Sequence, residues 1–122
     1  MFKTFIVEIG MGLDQHGHNN NPTNAAVKAI KNAISNNCLV GLRDIVGLKN
    51  PADMAVEVLI AAPYPENINA EQVLAAVPFG SKTLTVVEGG MKTMGLPVAA
   101  LGDTTGEVIV ANAAVTVKCN MP

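Results

Sequence analysis

The segment EVIVANAAVTVK, Glu107 to Lys118, carries apolar side chains on both of the faces that a strand presents. Successive strand residues point to opposite sides, so a strand with one wet face alternates apolar with polar, and a strand apolar on both sides is covered on both. This pattern predicts a buried final strand, and the rest of the chain says what is on hand to cover it. Working backwards, KTLTVVE (82–88) alternates as a strand, and Gly89-Gly90 offers a tight hairpin turn into MKTMG (91–95). INAEQVLAAVP (68–78) reads as a short helix ending at Pro78. Asn69 is its cap and Gln72 the capping-box partner, with Ile68 and Val73 at the staple positions. CLVGLRDIVGL (38–48) and MAVEVLIAAP (54–63) read as two strands joined by a turn at Lys49 to Asp53. Ala26, Ala29, Ile30, Ala33 and Ile34 fall at helical spacing, which predicts an amphipathic helix beginning near Pro22 or Thr23 and capped by Asn21 or Thr23. FKTFIVEI (2–9) is the first strand, with Phe5, Val7 and Ile9 on one face.

The succession implies one α+β domain over residues 1–122, with two helices on one face of a mostly antiparallel sheet. A βαββαβ ferredoxin-like order plus a C-terminal strand or hairpin is the expected arrangement, and a chorismate-mutase-like trimer is the alternative. Two helices leave the other sheet face uncovered, so the apolar final strand predicts a homo-oligomer, trimer or dimer, with that strand at the interface. A charge at Ala113 or Val115 is then expected to dissociate or precipitate the protein.

Composition narrows the functional classes. Of 122 residues, 49% are hydrophobic and 15% charged, with 3% aromatic and no tryptophan, so the core is aliphatic. The net charge is −2 and the eight Lys and Arg residues are scattered, which argues against a nucleic-acid partner, as does the lack of aromatic stacking platforms. Cys38 and Cys119 have no metal or redox spacing and are expected to be free thiols in a reducing, cytoplasmic setting. The apolar run near Phe5 is interrupted by Glu8 and is too short for a signal core or a membrane span, so no membrane partner is expected.

The chemistry is concentrated in GMGLDQHGHNNNP, Gly10 to Pro22, between the first strand and the first helix. Its glycines do not form GxGxxG, and no GK[ST] follows, so nucleotide binding lacks its fingerprint. Asp14, His16 and His18 alternate and offer one oxygen and two imidazoles to a metal, with Glu8, Glu88 and Asp103 as the distant donors available. An acid–base site needs fewer additional residues. In that reading His16 carries a proton and Asp14 orients it, Gly10, Gly12 and Gly17 let a ligand approach the backbone, and the helix start at Asn21 to Thr23 favours an anionic group. The plain alternative is that glycines and asparagines serve turns and caps while the histidines are solvated. The methionines read as core and interface filler, and GDTTG (102–106) as a loop whose Thr104 and Thr105 matter only if the fold brings them to His16.

GMGLDQHG, followed by an Asn-Pro-Thr-x-Ala-Ala helix start, resembles a small family of conserved hypothetical proteins of Firmicutes, cyanobacteria, other bacteria and plants. That family's signature is Gly-x-Gly-x-Asp-x-His-Gly, which Gly10, Gly12, Asp14, His16 and Gly17 match; His18 lies outside it. The resemblance implies a site at this loop and brings no activity or cofactor with it. Two functional expectations stand: a small anionic metabolite bound and acted on by His16 and Asp14, or a non-catalytic binding or assembly module.

Overall fold

The strand β5, Glu107–Asn120, runs antiparallel to β1, Phe2–Asp14, on one side and to β2, Met54–Ala62, on the other. β3, Ser81–Glu88, lies parallel to β2, and β4, Met91–Met94, pairs antiparallel with the first residues of β5. The sheet order is thus β1-β5-β2-β3 with β4 beside β5. Three helices pack against this mostly antiparallel sheet: α1 (Thr23–Ser35), α2 (Val40–Asp44) and α3 (Ala70–Leu74). The computed structural model describes residues 1–16 and 19–121. Among them no helix is long and apolar enough to cross a membrane.

The expected strand at 38–48 holds the short helix α2, Val40–Asp44, instead. Leu39, Leu42 and Val46 reach the core at spacings of three and four, the helical period, and Leu48 joins them beyond the turn. Gly47, with φ +78°, stops the turn. Without a strand here the ferredoxin-like succession does not arise, and β2 passes to β3 through the α3 crossover that a parallel pair requires. Asn69 caps α3 as its sequence predicts, its Oδ1 accepting the Gln72 N–H at 3.1 Å.

Gly89-Gly90 is not a hairpin turn, since β3 and β4 pair with different strands. The two glycines cross the end of β2: the Gly89 N–H donates to Ala62 O at 3.2 Å, and a Cβ on Gly90 would stand 2.1 Å from Val110 O. Only glycine lets the chain step this closely over its neighbours and continue as β4 in the track that β2 vacates.

α1 buries Ala25, Ala26, Ala29, Ile30 and Ala33 against β1 and β5. On the sheet side Ala111, Ala113, Val115 and Val117 of β5 face the helices, with Val56, Val58 and Ile60 of β2 beside them. Ala113 and Val115 are therefore core residues and not interface residues, so a charge at either would unfold the chain. The other face of β5 carries Asn112, Ala114, Thr116 and Lys118, and the apolar residues left uncovered belong mainly to β1. Val7, Ile9, Met11 and Leu13 are 52%, 64%, 58% and 39% exposed, and Leu59 of β2 adds to the same face. Phe5 drops out of this row because the register shifts between Thr4 and Ile6, and its ring lies near Gly41 of α2.

Candidate functional site

The inward face of β1 reads Glu8, Gly10, Gly12, Asp14, all buried. The two glycines are set by packing. A Cβ on Gly10 would lie 2.3 Å from Ala29 O, and one on Gly12 would lie 2.0 Å from Ala25 O. They are the contact on which α1 rests. Asp14, 2% exposed, ends the strand, and its Oδ1 accepts the His16 backbone N–H at 3.2 Å. This short loop-forming bond turns the chain and presents the His16 side chain.

The imidazole of His16 pairs not with Asp14 but with Asp103, Nδ1 to Oδ2 at 2.8 Å. The Asp103 side chain is 2% exposed and that of His16 28%. Asp103 Oδ2 also accepts the Val98 backbone N–H at 2.6 Å, so one carboxylate ties the histidine to the loop that leads from β4 to β5. That loop turns at Gly102, φ +83°, and is joined to the β1–α1 segment a second time where Thr104 Oγ1 donates to Asn19 Oδ1 at 3.2 Å. The GDTTG segment, read from sequence as a loop alone, is thus brought against His16.

His16 lines a cavity of about 380 Å³ with Leu13, Gln15, Thr93, Leu96, Val98 and Val108. Its walls are mostly apolar, and the Gln15 amide and the Thr93 hydroxyl accompany the imidazole as polar side chains. Leu13 and Val108 alternate with the inward-facing Asp14 and Ile109, so the cavity opens on the sheet face that the helices leave uncovered.

The remaining expected ligand residues are elsewhere. Asn21 Oδ1 accepts the Thr23 N–H at 3.0 Å, and Thr23 Oγ1 accepts the Asn69 N–H at 2.9 Å, which joins the starts of α1 and α3. Asn21 and Thr23 line a separate cavity with Asn24, Val27 and Gln72. The helix start that favours an anion and the histidine that carries a proton therefore face different spaces. Gly17 and His18 lie outside the described residues, and the metal reading at Asp14, His16 and His18 lies partly outside them too. Among the described residues no group of three or more His, Cys, Asp or Glu side chains comes together as a metal site. Asp103, the residue that sequence reasoning had only as a distant donor, was marked by nothing except its place between glycines in GDTTG.

The family model described as a conserved hypothetical protein (Lin0512_fam) matches residues 4–117. An FtsZ-like protein of unknown function from Nostoc punctiforme PCC 73102, known from a crystal structure, is 48% identical, with 97% of this chain and 96% of that chain covered and a TM-score of 0.85. Among curated proteins none matches.

Proposed function

We propose, from the premise that the chain belongs to the Lin0512 family of conserved hypothetical proteins, that it binds a small, mostly apolar metabolite with one anionic group and exchanges a proton with it at His16. The observation that carries this reading is the 2.8 Å bond between His16 Nδ1 and the buried Asp103 carboxylate at the wall of a cavity. A carboxylate on Nδ1 favours the tautomer with its proton there and leaves Nε2 as the basic nitrogen. Asp103 takes the orienting role, and Asp14 sets the turn. Gln15 and Thr93 supply further hydrogen bonds to the anionic group, and Leu13, Leu96 and Val108 hold the apolar body. A bound molecule bearing an acidic C–H or O–H next to Nε2 would be a substrate for proton transfer.

The test is a screen of metabolite acids by thermal shift and NMR against the wild type, His16→Ala and Asp103→Asn. A ligand at 100 times its Kd stabilises by about 2.7 kcal/mol, which such a screen detects. Binding should be lost in His16→Ala and weakened in Asp103→Asn. Equal affinity for the wild type and His16→Ala would overturn the reading.

The uncovered row of Val7, Ile9, Met11 and Leu13 supports a second reading, assembly with further copies of the chain through this face. Sedimentation at micromolar concentration decides it: a dimer or trimer supports assembly, and a monomer removes it.

A further inference from the structure

A second cavity, of about 470 Å³, lies where α1 ends, about 20 Å of strand away from Asp14. Ile34, Leu39, Leu42, Pro78 and Phe79 are among its apolar lining, and a smaller hollow continues from it toward Val56, Val77 and Val117. Glu8 is in the wall of both.

The position of this carboxyl follows from the packing beside it. α1 rests on Gly10 and Gly12 and stops at Ser35, so position 8 is the first inward position of β1 that the helix does not cover. The segment carrying α2 covers it instead, and less closely. A valine or isoleucine here would gain about 1.5–3 kcal/mol from burial, whereas an ionised carboxylate taken from water into apolar surroundings costs free energy unless it is paired. Glu8 is nevertheless 4% exposed, and the Asn37 side chain, beside it in the cavity wall, favours its ionised form. Asn37 is itself fixed, its Nδ2 donating to Ala33 O at 3.0 Å. The Arg43 side chain, also in the wall, is 82% exposed with its Nε 3.5 Å from Asp44 Oδ1. The cavity is therefore an apolar space with one buried acidic group, and a full cationic partner is what that group lacks.

We propose that this cavity is a binding site for a small primary amine with an alkyl or aryl body, the ammonium held by Glu8 and the body by Ile34, Leu39, Leu42 and Phe79. An ammonium offers three donors and a compensating charge to the carboxylate. An anionic ligand would be repelled by it. A neutral alcohol would gain the apolar contacts and one hydrogen bond but no charge pairing, which makes it the right control. Burial raises the Glu8 carboxyl above the ordinary carboxylate range and Asn37 pulls it partly back, so an amine that binds the ionised form should draw its titration downward.

The experiment titrates the whole chain with n-hexylamine, 1-hexanol and hexanoate, followed by amide NMR, with the Glu8 carboxyl carbon observed as pH is varied. Hexylamine should shift the signals of Asn37, Leu42 and Phe79 saturably and bind at least about tenfold tighter than hexanol, and hexanoate should not bind. Amine saturation should lower the Glu8 titration midpoint, and Glu8→Gln should erase the preference for amine over alcohol. Equal binding of amine and alcohol to the wild type, or amine-induced shifts confined to other surfaces, would overturn the proposal whether or not the variant folds.

Discussion

His16 and Asp103 stand 87 residues apart in the chain and share a 2.8 Å hydrogen bond, and the Asp103 carboxylate also holds the Val98 N–H. The two partners should therefore respond differently to truncation. His16→Ala removes one partner of the buried Asp103 carboxylate but leaves it the Val98 N–H, and should cost about 1 kcal/mol of unfolding free energy. Asp103→Ala strips the acceptor from a backbone N–H and should cost about 1–3 kcal/mol in chemical denaturation. Equal losses would mean that the histidine, too, is chiefly structural.

Gly12→Ala should be among the most damaging substitutions in the protein. Its new methyl group would meet Ala25 O at 2.0 Å and the Ala29 backbone N at 2.4 Å, so α1 must lift from the sheet. The expected loss is about 3 kcal/mol or more by urea denaturation, with Gly10→Ala similar. A Gly12→Ala protein of unchanged midpoint would show that α1 is not seated there in solution.

Most of the architecture could be read from periodicity. The helix over Ala26 to Ile34, the Asn69 cap and the strands at both ends of the chain each carry a local signal strong enough to survive tertiary packing. Residues 38–48 misled because a short apolar run with two glycines suits a strand or a helix turn equally, and the deciding fact is which residues reach the core. Gly10 and Gly12 look like ligand-approach glycines in sequence, because a helix backbone pressed on a strand and a ligand pressed on a loop demand the same missing Cβ. Asp103 was legible only as one of three distant donors, and its pairing with His16 was not, since it depends on a long-range closure that no spacing encodes.

Thr23→Val keeps the size of the side chain and removes the oxygen that accepts the Asn69 N–H. It should cost about 1–2 kcal/mol, and amide hydrogen exchange should rise at α3 as well as at the start of α1. Faster exchange at α1 alone would show that the two helix starts are not energetically joined.

Ile9→Lys and Ala113→Asp separate the two sheet faces. Ile9 is 64% exposed and Ala113 2%, so the lysine should leave the melting temperature within a few degrees while the aspartate abolishes cooperative unfolding. Where the wild type sediments as an oligomer, Ile9→Lys should shift it toward monomer.

Glu8 gives the protein a pH signature. Its carboxyl is raised in the folded state, chiefly by burial, so the stability tied to its neutral form is complete below the ordinary carboxylate pKa. That stability is lost as pH climbs through the raised value. Glu8→Gln cannot ionise, so its advantage over the wild type in denaturation should grow with pH across that window. A constant difference at all pH values would show that Glu8 is solvated.

Leu13 belongs at once to the open apolar row on β1 and to the wall of the His16 cavity. A further copy of the chain laid on that row would also roof the cavity, and self-association there would share a free-energy cycle with access to His16. Ligand affinity would then depend on how concentrated the protein itself is, and titrations run at nanomolar and at millimolar chain would return different constants for one and the same site.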